Sequence, residues 1–222
     1  MTSLISERIA NIRASLPPSV RLIAVSKKVS TELMREAYSA GIRDFGESRI
    51  QEATVKQAEL QDLPDITWHF IGHLQSNKAK KALELFDWIH SVDNLNIAQR
   101  LDTLAQQMGV NPSVCLQVKI LSDPQKSGWM TPELLADLQT LNECQHLQIQ
   151  GLMTIPPLGL KDTEILNVFQ RTQELAQEIN EQKLSLIKIQ HLSMGMSGDY
   201  QLAVSAGATM VRLGTIIFGE RV

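Results

Sequence analysis

The chain has 222 residues, 43% of them hydrophobic, and a formal net charge of −3, which predicts one domain over residues 1–222 and no second full domain. The balanced charge, with scattered lysines and arginines, argues against a nucleic-acid or membrane-surface partner. Glu7 and Arg8 interrupt the apolar N-terminal pattern, which argues against a signal peptide or a membrane span there and makes the cytosol the expected location.

A helix and a first β/α unit open the chain. The helix is indicated by the spacing of Ile5, Ile9, Ile12 and Leu16, and Pro17-Pro18 ends it. The apolar run RLIAVSK predicts the first strand, with Lys27 at its end. Ser30 as a cap and apolar residues up to Gly41 predict the helix that follows.

Seven further strands are predicted, in the segments DFGE, TWHFIG, WIHSVD, VCLQVKI, IQGLMTI, LSLIKIQHL and MVRLGTIIF. The helices between them are predicted from Ser48, after Ser76, from Asn94 to Met108, from Thr131-Pro132, across Ile165 to Ile179, and from Asp199. Eight strands alternating with helices favour a closed (β/α)₈ TIM barrel with an extra N-terminal helix. An open doubly wound sheet is the alternative.

Polar residues end most of these apolar strands. They are Lys27, Glu47, His73, Asp93, Lys119, Ser193 and Arg212. Because barrel enzymes build their sites at the C-terminal ends of the strands, we expect these side chains to converge there. A lysine attacks a carbonyl only as the neutral amine, which burial and nearby cations favour. The alternative for Lys27 is a strand-end lysine that extends into solvent.

Two glycine-containing segments predict an anion site. The first has Gly195, Ser197 and Gly198 between a strand and a helix, and the second has Gly214 and Thr215 after the last strand. Barrel phosphate sites use these two strand ends, although such glycines also serve simple turns. Arg212 lies in an apolar run, so its charge needs either solvent beyond the barrel rim or a buried acceptor, which would be an aromatic ring nitrogen or an Asp or Glu at the barrel mouth. A lysine, a phosphate cradle and this arginine are what pyridoxal phosphate requires.

Other reactive residue types predict no further site. His69 and His73 lie on a strand interrupted by Gly72, so we do not predict a zinc motif there. Cys115 and Cys144 are expected to be buried, unpaired hydrophobic residues. His90 and His191 lie near strand ends and are expected to be satisfied polar residues.

The strings AVSK, FGES, WHFIGHLQSNK, IHSVD, GLMTI, LSMGMSGDYQLAVSAG and VRLGTIIFG resemble, in this order, the pyridoxal phosphate homeostasis proteins, above all their cyanobacterial members. The resemblance runs from about residue 20 to the C-terminus. It implies a barrel like the N-terminal domain of alanine racemase, with pyridoxal phosphate on Lys27 as a Schiff base and Arg212 at its pyridine nitrogen. It also implies phosphate contacts from Ser193, Met194, Ser197, Gly214 and Thr215.

Three positions depart from the family pattern. Ser48 and Lys119 stand where the family usually has asparagine, and KKVS replaces the usual K-T-K-P. These departures question the contacts at the edge of the cofactor that Ser48 and Lys119 would make. They do not affect the expectation for Lys27.

The resemblance implies a function in cofactor homeostasis, without turnover. An arginine at the pyridine nitrogen keeps that nitrogen unprotonated and weakens the ring as an electron sink. We expect a monomer that exchanges the cofactor with free amino acids or gives it to apo-enzymes. The alternatives are a single-domain racemase using Lys126 or His73 as the second acid/base, a Schiff-base aldolase without cofactor, and a regulatory protein that senses the cofactor.

Overall fold

A computed structural model describes residues 3–220 and contains a closed barrel of eight parallel strands. The strands in chain order are β1 Arg21–Val25, β2 Asp44–Glu47, β3 Thr67–Phe70, β4 Trp88–Val92, β5 Ser113–Lys119, β6 Trp129–Met130, β7 Gln148–Thr154, β8 Ile187–Ser193 and β9 Met210–Leu213. The two-residue strand β6 pairs in parallel with the last two residues of β5 and is not one of the eight barrel strands. Pairing of β4 with β5 and of β1 with β9 closes the ring. The predicted TIM barrel is therefore confirmed, and the open sheet is wrong.

Helices alternate with these strands, as predicted. They are α1 Leu4–Ser15, α2 Thr31–Ser39, α3 Ile50–Glu59, α4 Ala79–Leu85, α5 Leu95–Met108, α6 Thr131–Leu141, α7 Asp162–Glu181, α8 Tyr200–Ser205 and α9 Thr215–Phe218, with a 3₁₀ turn at Ser76–Lys78. The side chain of Asn94 caps α5 by accepting from the N–H of Ile97 at 3.0 Å. Pro132 lies in the first turn of α6, where its missing N–H costs nothing.

Two local predictions were wrong. The segment TIIF was predicted to continue the last strand but forms α9, because the chain turns at Gly214 and the N–H groups of Ile217 and Phe218 both donate to the Gly214 carbonyl at 2.9 Å. Helix α3 begins at Ile50 rather than Ser48, because Arg49 is still extended. Ser30 is the N-cap residue of α2, as predicted, but its side chain makes no capping hydrogen bond within residues 3–220. Short apolar runs such as TIIF fit a strand or a helix equally well.

The buried side chains form two layers, inside and outside the strands. The larger apolar cluster lies between the strands and the helices, and a smaller one contains Ile23, Trp88, Cys115, Met153 and Met210. These five residues lie on five different strands, as expected for residues that fill a barrel interior. Cys115 and Cys144 are both buried and unpaired, as predicted.

No helix within residues 3–220 is long and apolar enough to cross a membrane. The same residues contain no group of three or more His, Cys, Asp or Glu side chains arranged to hold a metal ion. The expectation of one domain over residues 1–222 stays a prediction.

Candidate functional site

A cavity of about 300 Å³ opens where the barrel strands end. Its walls are formed by Val25, Lys27, Ile71, Ile155, Met196, Ser197, Gly198, Arg212, Gly214 and Thr215. These residues come from the C-terminal ends of β1, β3, β7 and β9 and from the loop after β8. The cavity therefore occupies the position at which (β/α)₈ barrels place their active sites.

Lys27 lines this cavity from the turn that follows β1, two residues beyond the end of the strand. The prediction that Lys27 ends the strand is corrected by this position. The N–H of Ser26 still donates to the carbonyl of Gly46 at 3.0 Å, and the N–H of Val29 donates to the carbonyl of Ser26 at 2.9 Å. Lys28 follows with φ of 60°. Because of this tight turn, Lys27 is half-buried in the barrel mouth while Lys28 is exposed.

A buried ionic cluster of Lys56, Glu47 and Glu52 stabilises the turn that contains Lys27. The amine of Lys56 donates to the carbonyl of Ser26 at 2.7 Å, to Glu47 at 2.8 Å and to Glu52 at 2.6 Å. Glu52 also accepts from the backbone N–H of Lys28. The backbone on both sides of Lys27 is thus tied to α3, which restricts where the Lys27 side chain can point.

Glu47 ends β2 as predicted, but its carboxylate faces this cluster and does not line the cavity. One carboxylate oxygen accepts from the hydroxyl of Ser26 at 2.7 Å, and the other has no hydrogen-bond partner among the described residues. Burial raises the pKa of the Glu47 carboxyl, and the nearby Lys56 amine opposes this effect. The role of Glu47 is therefore to support the turn and not to contact a ligand in the cavity.

Arg212 is the buried cation of the cavity, with 4% of its surface exposed. One terminal nitrogen donates to the carbonyl and the hydroxyl of Ser193 at 2.6 and 2.7 Å, and the other donates to the carbonyl of Thr154 at 3.1 Å. Burial lowers the pKa of Arg212 to about 10, so the guanidinium stays charged at neutral pH. These acceptors replace the Asp or Glu partner that was the sequence-based alternative.

A guanidinium has five N–H donors. Hydrogen bonds to the described residues use three of those of Arg212. Because Arg212 also lines the cavity, the remaining donors are available to an acceptor within it. A ring nitrogen is one acceptor of the right kind.

The loops after β8 and β9 meet at Ser197. Its hydroxyl lies 3.4 Å from the amide nitrogen of Gly214 and 3.5 Å from that of Ile216. Gly195 lets the loop after β8 pack closely against α8, because it has φ of +94° and a Cβ there would lie 2.7 Å from the Cβ of Ala203. Together with Gly198 and Thr215 these groups form a polar end of the cavity, at the two strand ends where barrels bind phosphate.

Two of the predicted phosphate contacts lie elsewhere. Ser193 is fully buried, and its hydroxyl is placed between Arg212 and His90, 2.8 Å from the ring of His90. Met194 is buried in the core, and its N–H donates to the carbonyl of Met210 at 3.1 Å. Neither residue lines the cavity. The structure therefore does not place these two residues at the cavity wall, and their contact with a phosphate stays a prediction.

The other polar strand-end residues do not reach the cavity. His73 has a ring nitrogen 3.1 Å from Asp93, with 61% of its side chain exposed. The amine of Lys126 contacts the carbonyls of Ile155 and Pro156, and burial lowers its pKa. Lys119 ends β5, and Ser48 lines a separate crevice beside α3. The predicted convergence therefore holds for Lys27 and Arg212 among the strand-end residues.

Sequence reasoning missed the apolar wall of the cavity, which includes Ile71, Ile155 and Met196. It also missed that part of the barrel interior is polar, with His69 and His90 fully buried and hydrogen-bonded to each other at 2.9 Å. A signal was present, since both histidines lie within apolar strands, where side chains alternate between the interior and the helical layer.

We expect the free energy of unfolding to fall as the pH decreases below about 6.5. Burial lowers the pKa of His69 and lowers that of His90 further. The unfolded chain therefore takes up protons at the ordinary histidine pKa before the folded chain does. Stability present at neutral pH is lost on acidification, by up to about 1.4 kcal/mol per pH unit for each histidine.

Urea unfolding followed by tryptophan fluorescence between about pH 7.5 and pH 5.5 measures this slope. The slope should decrease in His90→Gln, which removes one of the two buried imidazoles. A wild-type stability that does not depend on pH over this range would show that the two histidines take up protons in the folded protein as readily as in the unfolded chain.

The chain is similar to known proteins over nearly its whole length. The family model described as alanine racemase, N-terminal domain, matches residues 2–222. A pyridoxal phosphate homeostasis protein from Synechocystis sp. (strain ATCC 27184 / PCC 6803 / Kazusa) is 53% identical over 212 residues, covering 96% of each chain. One from Pseudomonas aeruginosa is 42% identical over 230 residues, covering 99% of this chain and 96% of that protein.

Among solved structures, PipY of Synechococcus elongatus PCC7942 with PLP bound has a TM-score of 0.92 and 53% identity, covering 97% of this chain and 100% of that chain. An alanine racemase of Clostridium difficile 630 has a TM-score of 0.75 and 16% identity, covering 97% of this chain and 56% of the racemase. The second similarity concerns the fold alone. From these similarities over nearly its whole length, we conclude that the chain belongs to the pyridoxal phosphate homeostasis protein family, within the alanine racemase N-terminal domain fold.

Proposed function

We propose that this protein binds pyridoxal 5'-phosphate covalently through Lys27 and acts as a carrier that loads and releases the cofactor. The observation that carries the proposal is the meeting of three groups in one cavity. These groups are the Lys27 amine, the buried Arg212 guanidinium and the polar end at Ser197, Gly214 and Thr215. PipY of Synechococcus elongatus, which has the same fold at 53% identity, was solved with PLP bound.

The cavity fits such a cofactor in size and chemistry. Its volume of about 300 Å³ lies at the lower end of small-molecule sites. When bound, pyridoxal phosphate supplies an aldehyde that reacts with amines and a ring that withdraws electrons. In our proposal Lys27 provides the amine, Arg212 donates to the ring nitrogen, and Ser197, Gly214 and Thr215 hold the phosphate. Ser193 and Met194 have no direct contact in this scheme.

We further propose that the protein is not an enzyme. Racemisation requires a second acid/base facing the reacting carbon. The two candidates for that group, Lys126 and His73, do not line the cavity, and their nearest polar partners lie in the surrounding loops. A charged Arg212 beside the ring nitrogen would also keep that nitrogen unprotonated and limit carbanion stabilisation.

The proposed carrier function implies particular binding partners and a cellular location. We propose exchange of the cofactor with free amino acids and delivery to apo-enzymes, by a monomer in the cytosol. Because part of the cavity wall is formed by loops at the barrel mouth, small amines can reach Lys27 from solvent in this proposal.

The test starts from the absorption spectrum of the purified protein incubated with pyridoxal phosphate. We expect a visible band that borohydride removes, and an intact mass increased by one reduced cofactor. The loaded protein should then transfer the cofactor to an apo-enzyme and should neither racemise nor transaminate common amino acids. A colourless, unmodified protein would overturn the binding proposal. Rapid turnover of one amino acid would overturn the carrier proposal and favour the racemase.

The polar end of the cavity is tested by Ser197→Ala. Loss of one hydrogen bond to a charged group costs about 1.5–3 kcal/mol, so we expect the affinity for pyridoxal phosphate to fall by about tenfold to a hundredfold. Affinity for pyridoxal, which has no phosphate, should change little. Ser205→Ala is the matched control, because the exposed Ser205 hydroxyl contacts only the carbonyl of Leu202 among the described residues. An equal loss for both ligands would place the phosphate elsewhere.

A further inference from the structure

A chain of hydrogen bonds crosses the interior of the barrel from one mouth to the other. It runs from Asp44 to His69 at 2.9 Å, from His69 to His90 at 2.9 Å, from His90 to Ser193 at 2.8 Å and from Ser193 to Arg212 at 2.7 Å. His69, His90 and Ser193 are fully or almost fully buried, whereas 20% of the Asp44 side chain is exposed. The chain thus joins the cofactor cavity to a group that solvent reaches from the opposite end.

The two ends of the chain determine the direction of every donor. A guanidinium can only donate and a carboxylate can only accept. The Ser193 hydroxyl accepts a hydrogen bond from Arg212 and donates its own proton to Nδ1 of His90. His90 then carries its proton on Nε2 and donates to Nδ1 of His69. His69 in turn donates from Nε2 to Asp44, so each link has one donor and one acceptor.

The surroundings keep both imidazoles neutral. His90 is buried near His69, Arg212, Arg21 and His191, and both its burial and these groups disfavour a positive charge on His90. Asp44 and Asp87 favour a charge on His69, but burial and Arg21 outweigh them. Each imidazole therefore has one donor and one acceptor, as the chain requires.

Packing alone does not account for this arrangement. Apolar branched side chains usually fill barrel interiors, and replacing buried polar networks with apolar residues is often neutral or stabilising. The polar chain ends on the same terminal nitrogen of Arg212 that donates to the Ser193 carbonyl. Its geometric effect is to fix the plane of the guanidinium relative to the cavity.

We infer that Asp44, His69, His90 and Ser193 are positioning residues that hold Arg212 in the orientation required by the cofactor ring, and that Asp44 controls this orientation from the opposite end of the barrel. The part concerning the ring rests on the proposed function. The part concerning the histidines does not, because the direction of the donors follows from the chain without a ligand.

The first experiment reads the chain directly in the cofactor-free protein. Nitrogen chemical shifts of ¹⁵N-histidine-labelled protein distinguish the two neutral tautomers and the charged form. We expect His69 and His90 to be neutral and protonated on Nε2 from about pH 6 to about pH 8, with signals assigned by His69→Gln and His90→Gln. A proton on Nδ1 in either ring, or titration of either ring in that range, would overturn the chain.

The second experiment tests positioning with the loaded protein. Ser193→Ala, His90→Leu and Asp44→Asn should each shift the visible band of bound pyridoxal phosphate, and the first two should weaken binding by at least about tenfold. Met153→Leu is the control, because Met153 is a buried residue of the barrel interior outside the chain. It should leave the band and the affinity unchanged even if it lowers the melting temperature.

The outcomes separate this inference from the proposed function. An unchanged band and affinity in folded Ser193→Ala and Asp44→Asn would overturn positioning, and these two variants keep the test valid if His90→Leu fails to fold. A wild-type protein that binds no pyridoxal phosphate would overturn the proposed function, while the tautomers of the histidines would still be tested independently.

Discussion

Replacement of Lys27 with alanine is expected to abolish the covalent adduct with pyridoxal phosphate while the barrel stays folded. Lys27 is the one lysine among the described residues that line the cavity. Because Lys27 lies in a turn and is only half-buried, we expect the free energy of unfolding to change by about 1 kcal/mol or less. Borohydride reduction followed by intact-mass measurement detects the adduct, and circular dichroism checks the fold.

Lys28→Ala is the matched control for this variant. Lys28 is the next residue, it is exposed, and its φ of 60° is tolerated equally by lysine and alanine because both have a Cβ. It should retain the full adduct. A borohydride-trapped adduct that persists in Lys27→Ala, at a yield near that of Lys28→Ala, would move the covalent site to another lysine.

The second large effect is expected for Arg212→Met, which should weaken pyridoxal phosphate binding by at least about tenfold and shift its visible band. Removal of the guanidinium takes away the charged donor in the cavity and allows the ring nitrogen to take up a proton. Equilibrium binding and the pH dependence of the band measure the two effects separately.

The stability of Arg212→Met is expected to reflect two opposing effects. Burial lowers the pKa of Arg212 to about 10, which corresponds to an electrostatic cost of about 3 kcal/mol for the charged form. The three hydrogen bonds of Arg212 to Ser193 and Thr154 oppose this cost, at about 1.5–3 kcal/mol each. We therefore expect the free energy of unfolding to fall by about 2–6 kcal/mol, measured by urea unfolding.

Arg43→Met serves as the control, since Arg43 is only half-buried, pairs with Asp65 and lies near the start of β2, away from the cavity. It should change neither binding nor the band. If Arg212→Met binds the cofactor with wild-type affinity and an unchanged band, the guanidinium does not contact the ring.

Much of the fold could be predicted because its signals are local. Runs of apolar residues long enough for one strand, the Asn94 cap and Pro132 in the first turn of α6 each act within a few residues of the chain. The failures were also local ambiguities. TIIF is β-rich in composition, yet the turn at Gly214 and the burial of Ile217 make it a helix.

Site residues could be predicted from the sequence where the residue type itself indicates a chemical role. Lys27 and Arg212 stood out because a charged group in an apolar run needs a specific partner, and both line the cavity. Ser193 and Ser197 were not separable in this way. Both are serines in the same glycine-containing segment, but one lies inside the barrel and the other at the polar end of the cavity.

The amino-acid sequence by itself determined the eight β/α units, the amine and the cation of the site, and the strand ends at which an anion would bind. The tertiary structure alone decided which strand-end side chains meet. In the folded barrel Arg212 and Lys27 both line one cavity, and the Glu47 carboxylate contacts Lys56 instead. Ser193 is hydrogen-bonded through two histidines to Asp44. The physical reason is that these contacts depend on the register of non-adjacent strands and on which face of each strand points inward, and both are set only when the barrel closes.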